Sequence, residues 1–176
     1  MVDINYCYRD FVKEITDKNN IAGQESGSIS TALPNITQAV SGGNKVIKDG
    51  QIHLNNFTGL DISADGVRGI ETIKGGIMVL QTALNMDYHT GLNIDGIWGP
   101  KSDKALDNHY VCRGECQYMV TAVEILLMLK GYNPNGVECP GSFGSELESA
   151  VRQYQNDHGL TVDGIAGRNT FKSLIV

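Results

Sequence analysis

The spacing of apolar residues predicts helices over much of the chain. Thr121–Leu129 is apolar on nearly every side, which is typical of a helix buried all round, and Gly131 is placed to end it. A later stretch is apolar on one helical face only, at Leu147, Ala150, Val151 and Tyr154. Together these patterns favour a mainly α fold.

The sequence also repeats itself. At an offset of 75 residues, Val46–Gly69 lies over Thr121–Gly144 without a gap. At an offset of 68, Leu92–Gly99 lies over Leu160–Gly167. The offset falls because the first copy carries about seven extra residues, most of them around Asn85–Thr90, which we expect in a loop.

Each copy is predicted to form three helices. In the first copy they cover Lys45–Phe57, Glu71–Leu84 and Pro100–Leu106. In the second copy they cover Tyr118–Gly131, Ser145–Asp157 and Arg168–Ile175. We therefore predict one repeat over 44–110 and another over 111–176. A degenerate helical half-repeat with its linker is predicted over 1–43, because Phe11–Ile15 followed by Ile21–Gly23 echoes the second copy.

A short motif, Asp-Gly-x-x-Gly, recurs between the predicted helices. Its Asp can accept backbone N–H groups within a turn, and its first Gly supplies a positive φ. We expect the apolar residue that follows, Ile97 or Ile165, to plug the core. The motif lacks the acidic ligands of a calcium loop and the Lys of a phosphate loop, which favours structural turns. The turn residues are Asp65, Gly66, Gly69, Asp95, Gly96, Gly99, Asp163, Gly164 and Gly167.

The second copy resembles a known family. Ala150–Gln155 followed by His158–Gly167, Thr170 and Leu174 is similar to the type 1 peptidoglycan-binding repeat, a three-helix unit. The first copy is looser, since Gly75-Gly76 stands in its middle helix. The resemblance implies two tandem wall-binding repeats, arranged as in the C-terminal region of clostridial-type amidases and phage endolysins.

Composition and charge narrow the partners. Hydrophobic residues make up 41% of the chain and charged residues 19%, which is enough apolar content for a folded core. The net charge of −6 disfavours nucleic acid and anionic wall polymers as electrostatic ligands. Neither a membrane helix nor a signal sequence after Met1 is predicted. We expect synthesis in the cytoplasm and action at the cell wall, either without a signal peptide or as part of a longer product.

No catalytic, metal or cofactor site is predicted. The four histidines lack the spacing of a zinc site, and His89 and His158 are interpreted as solvated loop residues. Cys112 and Cys116 have no second pair at similar spacing, so incidental thiols are favoured over a disulfide or a metal site. A hydrolase, either amidase or muramidase, with an unrecognised active site remains the alternative interpretation.

The ligand contacts are expected at the turns. Trp98 is the single tryptophan, and it aligns with Ala166 in the other copy. The exchange of a large for a small residue favours a surface position, where the ring could stack on a sugar, although core packing stays open. Arg68, from the facing turn, would donate a hydrogen bond to the same ligand. In the second copy Phe143 would supply the apolar surface, although its residue type also favours a position in the core. The remaining candidates are Tyr154, which also suits the core, and the donors Arg168 and Asn169.

The sequence thus favours a non-catalytic module that targets an endolysin or autolysin to bacterial peptidoglycan. A catalytic lysin domain is the expected companion. A homo-oligomer is a further possibility, in which Cys7–Asn35 pairs with another chain and makes the wall binders multivalent.

Overall fold

The computed structural model describes residues 43–176, so the predicted half-repeat and Cys7 lie outside the described residues. The described part contains six helices and two short strands. The helices of the first copy are α1 (Lys45–Thr58), α2 (Ile70–Tyr88) and α3 (Pro100–Leu106). Those of the second copy are α4 (Tyr118–Leu129), α5 (Ser145–Asp157) and α6 (Arg168–Ile175). The prediction of a mainly α fold is confirmed.

Local chemistry accounts for the helix boundaries. The side chain of Asn44 accepts the backbone N–H groups of Val46 at 2.8 Å and Ile47 at 3.2 Å, which caps the start of α1. Helix α4 ends in a Schellman motif at Gly131, whose φ of 85° suits glycine. In that motif Tyr132 N–H bonds to the Leu127 carbonyl at 2.9 Å.

Helix α2 is longer than predicted. It has 19 residues against 13 in α5, so Asn85–Tyr88 continues the helix instead of forming the expected loop. The extra turn has a partner in α4. Asp87 accepts the N–H groups of Tyr118 at 3.1 Å and Met119 at 2.7 Å, at the beginning of α4. The inserted residues therefore join the two copies, which explains why they are helical.

Helix α4 lies at the centre of the fold. All of its residues from Met119 to Leu129 are buried, and its most extensive contacts are with α2 and α1 of the other copy. Glycines permit the close approach: a Cβ at Gly50 would come within 2.8 Å of the Met128 side chain. Gly75 permits an equally close approach within the first copy, because a Cβ added there would lie 2.8 Å from the Leu54 side chain.

The two copies share one core. Gly42–Val176 forms a single compact unit, so the boundary predicted between residues 110 and 111 does not separate two independent cores. Two short strands, β1 (Cys116–Gln117) and β2 (Gly141–Ser142), pair antiparallel within the second copy. Among the described helices, none is both long enough and apolar enough to cross a membrane.

Candidate binding grooves

A buried glutamine organises each Asp-Gly-x-x-Gly turn. In the second copy, Gln155 Nε2 donates to Asp163 Oδ1 and to the Ile165 carbonyl, both at 2.9 Å. Its Oε1 accepts the N–H of Gly164 at 2.9 Å. Because Gln155 is almost fully buried, it satisfies backbone groups that water does not reach.

The same arrangement occurs twice in the first copy. Gln81 donates to Asp95 Oδ1 and the Ile97 carbonyl, both at 3.1 Å. Gln51 likewise donates to Asp65 Oδ1 at 3.1 Å and accepts the N–H of Gly66 at 2.8 Å. Gln81 lies over Gln155 at an offset of 74 residues, yet the sequence motif alone predicts no role for these glutamines. A sequence pattern could have identified them, because a Gln stands 14 residues before the turn Asp in both turns of the first copy.

The turn aspartates act within the backbone. Asp95 Oδ1 accepts the N–H of Ile97 at 2.9 Å, and Asp65 does the same for Val67 at 2.8 Å. These backbone hydrogen bonds, with smaller help from the glutamine amides, hold the pKa of the Asp65 and Asp95 carboxyl groups below their ordinary value. Both carboxylates therefore remain ionised acceptors and are committed to the turn.

The side chains that follow the turn glycines point the opposite way from our expectation. Ile97 is 67% exposed and Ile165 is 37% exposed, so the prediction that they plug the core is wrong. Their backbone N–H and C=O groups both face the inward Asp and Gln side chains, which directs the isoleucine side chains outward. The next residue faces inward instead: Ala166 is fully buried, and Trp98 packs half-buried against the core.

Two equivalent grooves open beside these turns. The first groove, of about 490 Å³, is lined by Gln81, residues 91–93, Asp95, Ile97 and residues 99–102. The second groove, also of about 490 Å³, is lined by Gln155, residues 159–161, Asp163, Ile165 and residues 167–170. Every lining position of one groove corresponds to a lining position of the other in the repeat alignment.

The two grooves differ at one edge. Pro100 and Lys101 in the first groove are replaced by Arg168 and Asn169 in the second, so these two predicted ligand contacts do line a groove. Arg168 is not a free cation, because it forms ion pairs with the carboxylates of Asp103 and Asp107 on α3. The second groove therefore presents hydrogen-bonding groups with little net positive charge.

Trp98 and Arg68 are not brought together. Trp98 Nε1 donates to Asp103 Oδ1 at 3.2 Å, and Ile97 lines the first groove in its place. Arg68 donates to backbone oxygens at the end of α6, to that of Leu174 at 3.4 Å and to that of Val176 at 2.6 Å. Burial lowers the pKa of the Arg68 guanidinium, as expected for a cation that joins packed segments.

Phe143 and Tyr154 lie in the core. Phe143 is 2% exposed and Tyr154 is 0% exposed, so neither offers a surface to a ligand, and the predicted contacts are corrected to core packing. The Tyr154 hydroxyl shares a hydrogen bond of 2.7 Å with Ser173 Oγ. His158 is exposed in the turn after α5, in agreement with the predicted solvated position, and its ring stacks on that of Tyr154 with 4.0 Å between ring centroids.

Neither metal nor thiol chemistry is indicated at the two grooves. Within residues 43–176, no three His, Cys, Asp or Glu side chains are arranged to hold a metal ion. Cys112 and Cys116 are free thiols, and neither lines a groove. Burial raises the pKa of the Cys112 thiol, which disfavours the thiolate.

Comparison with known proteins identifies a class for the second copy. A family model described as a putative peptidoglycan binding domain matches residues 117–174. A probable N-acetylmuramoyl-L-alanine amidase of Bacillus licheniformis is 25% identical over 188 aligned residues, which cover 86% of this chain and 50% of that protein. The chain thus spans about half the length of this relative. No solved structure is significantly similar to the chain.

These matches confirm the predicted resemblance for the second copy, and the second groove lies entirely within the matched residues. That residues 44–110 form a tandem repeat of the same family stays a prediction.

Proposed function

We propose that this chain is a non-catalytic module that binds bacterial peptidoglycan through the first and second grooves and keeps a cell-wall hydrolase at its substrate. The observation that carries the proposal is the pair of equivalent grooves, one of which lies inside the segment that matches a peptidoglycan-binding domain.

The chemistry of the groove linings suits an amide-rich polymer. Each groove combines an exposed isoleucine and a leucine with an uncharged polar side chain, Asn93 in the first groove and Thr161 in the second. Acetamido methyl groups and alanine methyl groups can pack on such apolar rims, and the amides can pair with polar groups beside them. Because Arg168 is already paired with carboxylates, recognition rests on shape and hydrogen bonds more than on charge.

The similarity to an amidase suggests which catalytic activity accompanies the module. The B. licheniformis protein is named a probable amidase, and this chain aligns with about half of it. We propose that the module serves an endolysin or autolysin and that hydrolysis is performed by a separate catalytic domain.

A sedimentation assay on purified peptidoglycan tests the proposal. We expect Ile97→Asn and Ile165→Asn each to lower the bound fraction, and the double variant to lower avidity by about a hundredfold, since two linked weak sites reinforce each other. Val67→Asn is the matched control, because Val67 holds the same turn position, is exposed and lines neither groove. A double variant that sediments like the unaltered protein, with intact helical content, would refute the assignment of the grooves.

Release of dye from labelled cell walls tests the hydrolase alternative. The module is expected to release none above buffer. Release that persists through further purification would instead favour an enzyme.

A further inference from the structure

A smaller cavity lies next to the first groove. It has a volume of about 220 Å³ and lies between the loop that follows α1 and the first two turns of α2. We call it the side cavity. It shares Asp95 with the first groove, and Ile94, from the same loop, is part of its wall. The side cavity and the first groove therefore meet at Asp95.

The lining of the side cavity differs in chemistry from that of the grooves. Leu60, Ile62 and Met78 form its apolar part, whereas Lys74 brings one positive charge and the carboxylates of Glu71 and Asp95 bring two negative charges. Glu71 and Lys74 are three apart on α2, which places them on the same helical face. Lys74 is close enough to Asp95 to contribute to the lowered pKa of that carboxyl.

A partly apolar cavity that carries both carboxylates and an ammonium group fits a short peptide. Small alkyl side chains can fill the apolar part, an amine can pair with Glu71, and a carboxylate can pair with Lys74. A glycan without its peptide has no free amine to pair with Glu71.

The second copy fills the corresponding place with its own side chains. Lys74 packs against Gly96 in the first copy, and Glu148 with Arg152 packs against the equivalent Gly164 in the second. Arg152 bonds to Glu148 at 2.9 Å and to the Val162 carbonyl at 3.1 Å. The acid and base at this place thus pair with each other, whereas Glu71 and Lys74 face a cavity.

We propose that the side cavity is a subsite for the stem peptide of peptidoglycan, so that the first copy binds a glycan together with its peptide while the second copy binds without reading the peptide. This inference rests on the proposed function, since it places the glycan portion of the ligand in the first groove.

Isothermal titration of the full chain with two soluble fragments tests the proposal. One fragment is a disaccharide that carries its stem peptide, and the other is the same disaccharide without the peptide. We expect tighter binding of the peptide-bearing fragment. Lys74→Met and Glu71→Gln should each weaken it by about threefold, the range of a partly exposed ion pair, and leave the disaccharide unaffected. Lys48→Met, an exposed lysine on α1 outside the side cavity, is the matched control.

The possible results separate the two proposals. If both fragments bind and the Lys74 and Glu71 variants bind the peptide-bearing fragment as well as the control does, the side cavity is not a peptide subsite and the groove proposal stands. If neither fragment binds the unaltered chain, the proposed function fails and this inference fails with it.

Discussion

Replacing Gln155 by leucine should separate the structural role of the turn glutamine from the general stability of α5. The substitution places an apolar side chain of similar size at this buried position. It removes all four hydrogen bonds made by the amide, namely those to Asp163, Gly164, Ile165 and Thr170. The consequences for these four partners differ, and that difference sets the size of the effect.

The N–H of Gly164 determines most of the cost. Gly164 is buried, so its N–H loses its acceptor with no access to water, which costs about 1–3 kcal/mol. The Asp163 carboxylate is exposed and keeps the N–H of Ile165 at 2.9 Å, so water replaces the lost amide there. The carbonyl of Ile165 keeps the N–H of Gly167 at 3.0 Å, whereas the hydroxyl of Thr170 retains only its weak contact with that carbonyl at 3.4 Å. We therefore expect a loss of about 2–4 kcal/mol in the free energy of unfolding.

Urea denaturation followed by far-ultraviolet circular dichroism measures this loss, provided that the dependence on denaturant is unchanged. Gln153→Leu is the matched control, because Gln153 is exposed on the same helix and its replacement should change stability by no more than about 0.5 kcal/mol. Hydrogen exchange at the Gly164 amide should accelerate in Gln155→Leu alone. Equal stability in the two variants, with Gly164 still protected, would refute this account of the turn.

Three further outcomes are expected. Trp98→Ala should cost about 1–3 kcal/mol of thermal stability, less than for a fully buried tryptophan, because the ring is half-buried; a midpoint equal to that of the unaltered protein would restore the surface assignment. Burial raises the pKa of Glu124 from 4.5 to about 8. Between these two pH values the folded state binds more protons than the unfolded state. The free energy of unfolding should therefore fall as pH rises, by up to about 1.4 kcal/mol per pH unit. Glu124→Gln should flatten that slope in urea titrations across pH, whereas an unchanged slope would place its origin elsewhere. A fragment of residues 111–176 lacks α1 and α2, which cover α4, so it should show no cooperative thermal transition by circular dichroism, and a sharp transition would contradict the shared core.

The helices could be predicted from the chain because each has a local signal. The all-round apolar run at Thr121–Leu129 needs burial on every side, and Pro100 suits a first helical turn, so α4 and α3 begin and end close to the predicted residues. The extension of α2 was missed because its cause is not local. Asp87 is oriented by the N–H groups of Tyr118 and Met119, which are about thirty residues further along the chain.

The groove linings were harder to predict, since a turn motif does not reveal which side chain faces outward. Ile97 was assigned to the core because it is apolar, yet its backbone groups are turned inward by Gln81 and Asp95. Likewise Arg68 was assigned to a ligand because it is charged, although its guanidinium bonds to backbone oxygens at the end of α6. In both cases the orientation is decided by hydrogen bonds to residues elsewhere in the fold, and residue type alone does not predict those bonds.

The central position of α4 has a consequence for avidity. When two binding sites are joined by a flexible linker, the second site searches for its target at an effective concentration set by linker length. Here α4 packs on α1 and α2, so both grooves belong to one body and their separation and relative orientation are fixed within it. Under the proposed function, this fixed geometry makes binding depend on the spacing of the wall polymer as well as on its chemistry. A polymer whose repeating units match the spacing of the grooves gains the full benefit of two contacts, whereas one of different spacing or cross-linking engages a single groove at a time.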